Sequence, residues 1–160
     1  MTRIILFVLM LVPRAASLGQ DARPPARHPA FEIDFANVKW TKFPGVEETT
    51  VRISILYVDS ISGATQMLFR IPPNATSPCH WHTASESNMV VQGSVVMRHA
   101  GATNASTLGV GGFSFVPKSM PHQLITGPTL TIIFSALDGR FDFHAVGDDQ
   151  CRASGDAHPT

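Results

Sequence analysis

Charge is what this sequence has least of. Only 15% of its 160 residues are Asp, Glu, Lys or Arg, and twelve bases balance twelve acids at a formal net charge of +0. No run of five like charges occurs. A nucleic-acid surface or an acidic-lipid surface needs a basic excess, so neither partner is expected. Cysteine is scarce as well, with only Cys79 and Cys151. A pair permits one disulfide, but spacing alone does not join the two, and the reading carried forward is two independent thiols. Helical signal is missing: no stretch between 31 and 147 keeps a 3.6-residue apolar period with caps at both ends. Long apolar runs are missing too, since the N-terminal run Ile4 to Val12 is too short to span a bilayer core.

That short run has a use of its own. Arg3 precedes it, and the small residues Ala15, Ala16 and Ser17 follow it. This is the layout of a secretory signal peptide over 1–19, which predicts a periplasmic or secreted protein in an oxidising compartment. Residues 20–30, "QDARPPARHPA", read as an extended lead-in. The domain is expected over 31–147, with a polar tail at 148–160. Asn74 and Asn104 begin matches to the N-glycosylation pattern, taken here as chance.

Within the domain the pattern is β. "TVRISILYVD" and "ATQMLFRIP" flank a Ser-Gly turn, and "SNMVVQG" meets "SVVMRHAG" at Gly93. "FSFVP", "HQLIT", "TLTIIFSAL" and "GRFDFHAV" continue the series between glycines and prolines. Hydrophobic residues make up 44% of the chain, enough for a core. The predicted fold class is all-β, a single small antiparallel barrel or jelly roll whose interior can hold a ligand.

The stretch "CHWHTASE" gains meaning in that setting. Residues two apart on a strand share a face about 7 Å apart, so His80 and His82 point the same way, and Cys79 and Trp81 the other. Thr83, Ala84 and Ser85 turn the chain, and Glu86 opens the next strand toward the same interior. His122 follows a Pro-containing turn and is placed to approach from across the barrel.

These residues resemble the cupins, small β-barrels with two histidine motifs. The first motif reads G-x5-H-x-H-x3/4-E-x6-G, and His80, His82, Glu86 and Gly93 fill it from the first histidine onward. The second reads G-x5-P-x-G-x2-H-x3-N, and Gly111, Pro117 and His122 fill their positions. Asn74 replaces the leading glycine of the first motif, and Ser119 and Thr126 replace the turn glycine and closing asparagine of the second, none of them a ligand position. The resemblance implies a double-stranded β-helix with one divalent ion held by His80, His82, Glu86 and His122. Imidazoles and one carboxylate suit iron, manganese, zinc, nickel or copper. An octahedral ion would keep two adjacent positions open and a formal charge of +1, which favours a small anionic chelator. The expected activity is that of a metal-dependent oxygenase acting on a small oxygenated or anionic molecule. A non-enzymatic metal or small-ligand binder and a metal-dependent isomerase or lyase stay open.

Other residues have weaker claims. Gln66, Arg70, Met97 and Gln123, with Arg98, are candidates to hold a polar substrate, with a surface position an equal reading for Arg70 and Arg98. Phe113, Phe115 and Phe134 are candidates for the pocket mouth, with ordinary core as the better reading for most. His99 and His144 fall outside the motifs and are expected to be solvated or satisfied within the core. His28 and His158 lie in the flanks. No catalytic base outside the metal set is assigned, and Tyr57, the one tyrosine, has no settled phase. The expected partner is a small-molecule ligand, with a homodimer left open.

Overall fold

Short apolar alternations separated by turn residues become strands wherever one face can be buried. The computed structural model describes residues 29–43 and 50–152. The signal segment at 1–19, most of the lead-in and residues 153–160 lie outside the described residues. Every described strand falls in the compact unit Ile33–Thr160. These are β1 (Thr41–Lys42), β2 (Arg52–Val58), β3 (Thr65–Ile71), β4 (His80–Trp81), β5 (Glu86–Gln92), β6 (Val95–His99), β7 (Ser106–Leu108), β8 (Phe113–Val116), β9 (His122–Thr126), β10 (Thr131–Leu137) and β11 (His144–Ala145). Two 3-10 turns, Phe35–Asn37 and Asp148–Cys151, are the only helical segments among the described residues.

The strands form two antiparallel sheets, ordered β1-β2-β3-β10-β5-β8 and β11-β4-β9-β6-β7. This is the predicted all-β jelly roll. Alternation decides which side chains enter it. Along β8, Ser114 and Val116 are buried while Phe113 and Phe115 face outward. Along β5, Glu86, Asn88 and Val90 are buried. Val90, Val95, Met97, Val116 and Ile133 form one core cluster, and Met67, Ala84 and Leu137 form another.

Turn chemistry holds the ends. Asp59 Oδ1 accepts from the Ile61 and Ser62 amides at 3.0 and 2.8 Å and closes the β2–β3 turn. Gly93 has φ 78°, and a Cβ there would stand 2.6 Å from Thr131 Oγ1, so both conformation and space require glycine. The motif departures keep the turns intact: Asn74 at φ 53° and Ser119 at φ 61° adopt the left-handed conformation that glycine would supply. Thr126, in place of the closing asparagine, accepts from the Ala75 amide and donates to the Pro72 carbonyl, both at 2.8 Å.

Two expectations need correction. "GRFDFHAV" is not a full closing strand, since only His144–Ala145 pairs, with Trp81 and His80. Phe141 and Phe143 sit on irregular backbone and line the interior. Cys79 and Cys151 are not independent thiols but one disulfide, with Cα atoms 5.8 Å apart and both residues fully buried. The Val146 amide donates to the Cys79 carbonyl at 2.9 Å, and Asp148 Oδ1 accepts from the Cys79 amide at 3.0 Å. These bonds dock the 3-10 turn beside β4, so the expected tail begins as an anchored segment.

Candidate metal centre

The histidines come from neighbouring backbone. His80 lies on β4 directly opposite His122 on β9, so His122 is a cross-strand neighbour and does not approach from across the barrel. Glu86 is the residue that comes from the facing sheet. Ring centroids stand 4.2 Å apart for His80 and His122, 5.0 Å for His80 and His82, and 5.2 Å for His82 and His122. One ring nitrogen of each lies within 4.8 Å of the other two, close enough to hold one metal ion. Glu86 Oε2 lies 3.4 Å from His122 Nε2 and 3.8 Å from His82 Nε2. All four side chains are buried.

The surroundings fix which nitrogen faces inward. His80 Nδ1 meets the Pro78 carbonyl at 2.8 Å, His122 Nδ1 meets the Met120 carbonyl at 3.1 Å, and His82 Nδ1 meets the Asp142 carbonyl. A carbonyl only accepts, so each Nδ1 carries the proton and each Nε2 offers a lone pair. Burial, then the neighbouring His122, pushes the His80 pKa down to about 3. Burial lowers that of His82 as well, against the pull of Glu86. These two rings are therefore neutral at pH 7, as metal ligands must be. Glu86 meets opposing forces. Burial pushes its pKa up, but the adjacent His122, then His82 and the Asn88 amide, hold it down at about 2. It is the anionic member of the set. Asn88 Nδ2 donates to Glu86 Oε2 at 2.9 Å, and Ser135 Oγ donates to Asn88 Oδ1, which orients the carboxylate from behind. This donor chemistry fits the borderline divalent ions named above.

A cavity of about 220 Å³ opens beside the cluster. Phe43, Phe69, Phe141 and Phe143 contribute its aromatic wall, with ring centroids 5.6 to 6.3 Å apart in their contacts. Phe143 stacks on His80 at 4.2 Å and 19°. Among the described residues no lysine or arginine lines the space.

Among the candidate substrate residues only Met97 lines this cavity. Gln66 and Arg70 are exposed at alternate positions of β3, opposite in phase to buried Met67. Gln123 is buried but donates to the Ser77 carbonyl at 3.1 Å and lies 3.5 Å from Asp148 Oδ1, outside the cavity. Arg98 and Phe134 do not line it, and Phe113 and Phe115 are exposed rather than core. Tyr57 points its hydroxyl at Asp59 Oδ2, 3.4 Å away, which leaves it no part in the cavity. His144 stacks on Trp81 at 4.1 Å and meets Asp142 Oδ2 at 3.1 Å, outside the cluster. His99, the cross-strand neighbour of His122, departs from expectation: its Nε2 is buried without a hydrogen-bond partner. The residues that sequence reasoning missed are Asn88, Ser135 and the wall residues Phe43, Phe69, Phe141 and Phe143. Asn88 carried a readable signal, two residues after Glu86 on the same strand face.

The family profile described as the ChrR cupin-like domain matches residues 28–141. No curated protein is detectably similar in sequence. Among solved structures, the polyketide cyclase RemF from Streptomyces resistomycificus is similar at 23% identity and a TM-score of 0.58, over 74% of this chain and 86% of that one. An RmlC-like cupin from Shewanella frigidimarina is similar at 19% identity and a TM-score of 0.55, over 70% and 90%. An oxalate oxidase is similar at 18% identity and a TM-score of 0.56, over 72% of this chain and 63% of its own. At these identities the likeness to solved structures speaks for the fold. The two motifs, the jelly roll and the profile match over most of the domain agree, and the chain belongs to the ChrR cupin-like family.

Proposed function

We propose that this protein is a mononuclear metal-dependent oxygenase acting on a small oxygenated molecule, with His80, His82, Glu86 and His122 holding one divalent ion. The observation that carries the reading is the cavity opening directly onto the converging Nε2 atoms. A structural site closes around its ion, whereas a catalytic site keeps a position open to substrate. When bound, the ion would supply a Lewis acid and adjacent positions for a substrate oxygen and for dioxygen. The chain's own residues do the rest. The backbone carbonyls of Pro78, Met120 and Asp142 hold the imidazole tautomers, Asn88 aims the Glu86 carboxylate, and the phenyl rings exclude water. Neighbours named as a cyclase and an oxidase support an enzyme on this fold.

One observation favours the alternative, a metal or small-ligand binder: among the described residues no titratable side chain outside the donor set lines the cavity. Elemental analysis of anaerobically purified protein, followed by oxygen uptake against diketones, thiols and catechols, separates the readings. Full metal content with no oxygen consumption across that panel would overturn the oxygenase. Export is part of the proposal. The Arg3–Val12 pattern and the buried Cys79–Cys151 bridge both suit an oxidising compartment. Mass spectrometry of protein from its native compartment should find no intact Met1 terminus, and finding one overturns export.

A further inference from the structure

We infer that the cavity selects a ligand with one oxygen-donor end and an apolar body about the size of one substituted aromatic ring, and that it rejects small dianions. The donor end rests on the metal reading above; the body rests on the cavity alone. Size comes first. A dry protein cavity of about 150 Å³ takes up benzene, and 220 Å³ leaves room for a ring with a short substituent. Shape comes next. Phe43, Phe69 and Phe141 contact one another with interplanar angles of 31°, 60° and 89°, so both ring edges and ring faces front the space. A flat apolar body meets complementary surfaces there.

Charge sets the limit. Among the described residues Glu86 is the one carboxylate that lines the cavity, so a divalent ion held there would leave a single formal positive charge. One anionic donor neutralises it. A second negative charge would stand against phenyl faces, which carry negative potential, with no lysine or arginine among the described lining residues to meet it. Of the other polar lining residues, Asn88 and Ser135 are committed to Glu86 and to each other, and Ser77 Oγ accepts from the Leu124 amide at 3.0 Å. The polar candidates on the outer strand face, Gln66 and Arg70, offer nothing to the interior.

The test uses the whole protein with benzoate, acetate and oxalate, which share the carboxylate donor. Calorimetry on the zinc-loaded protein should show benzoate binding at least about tenfold tighter than acetate or oxalate, the gain expected from burying a phenyl body. Phe43→Ala should cut the preference for benzoate over acetate to within about threefold. Val51→Arg, at the cavity wall, should narrow the gap between oxalate and benzoate by supplying the missing cation. In parallel, metal-free protein should bind toluene, read by saturation-transfer NMR. Zinc loading with oxalate bound as tightly as benzoate overturns this inference and leaves the metal reading standing. Toluene binding without zinc loading overturns the metal reading and supports the cavity. Failure of both removes both.

Discussion

The six-stranded and five-stranded sheets hold their residues in place by different means. In the first, β2, β3, β5 and β10 are seven residues each, and β10 pairs with β3 along its whole length. In the second, β4 and β11 have two residues each, and β4 meets β9 at the single pair His80 and His122. His80 and His122 nevertheless stand on the second sheet, and His82 follows directly after the end of β4. The first sheet supplies Glu86, Asn88 and Ser135. Where the ladder is short, individual ties replace it. Cys79 is bonded to Cys151, Asp148 caps the Cys79 amide, and Asp142 accepts from Thr83 N at 3.0 Å and Thr83 Oγ1 at 2.5 Å. The contrast teaches that ladders supply bulk stability here, while a few bonds supply the aim of the donors.

That contrast can be broken in order of expected effect. His82→Ala should take metal content from about one ion per chain to near zero while the long ladders keep the fold. Plasma emission with circular dichroism checks both, and unchanged stoichiometry would sink the ligand assignment. Cys151→Ser opens a loop of 72 residues. It should cost about 4 kcal/mol in urea unfolding and weaken zinc binding together. Met67→Ala empties the core under the long ladders, fully buried as Met67 is. It should cost about 3 kcal/mol yet leave zinc affinity of the folded protein unchanged. A matching loss of affinity would erase the distinction between the sheets.

Asp142→Ala should do the converse. It frees Thr83 and the carbonyl that holds His82, so zinc affinity should fall about tenfold with a small change in melting temperature. The smallest effect belongs to an exposed turn. Hydrogen bonds from the Ser62 and Ile61 amides hold the Asp59 pKa at about 2, below its ordinary value of 3.8. A depressed carboxylate pKa stabilises fully above the unfolded value, and that contribution is lost as pH falls through the folded one. The melting difference between wild type and Asp59→Ala should therefore shrink between pH 4 and pH 2, with metal content unaffected at neutral pH. A difference that stays constant over that range would contradict the capping role.

Much of this was legible because alternation is a local signal. The runs around Ile53, Met67, Val90 and Ile133 became strands near the expected places. The convergence of His80, His82, His122 and Glu86 was legible because their spacing matched both motifs, and Asn74 and Ser119 took the φ their positions require. Thr41–Lys42 and Ser106–Leu108 gave no alternation to read and pair only as short edge strands. Phe141 and Phe143 alternate like a strand, yet Asp142 between them is occupied with Thr83 and His82, so the ladder stops there. Gln66 and Arg70 were misjudged because chemistry suggested substrate contacts while strand phase put them outside. The disulfide was hidden because it depends on the 3-10 turn docking beside β4, a contact between positions far apart in sequence.

Anchoring β4 through residues 142–151 also sets a schedule. A chain made from its N-terminus presents His80, His82, Glu86 and His122 before Asp142, Val146, Asp148 and Cys151 exist. Until those arrive, the His82 tautomer lacks its carbonyl and the Cys79 strand lacks its bridge. The donors thus become a shaped site only once residues 142–151 have docked. On the metal reading, an ion captured earlier would meet loose imidazoles and exchange readily, so loading would follow folding.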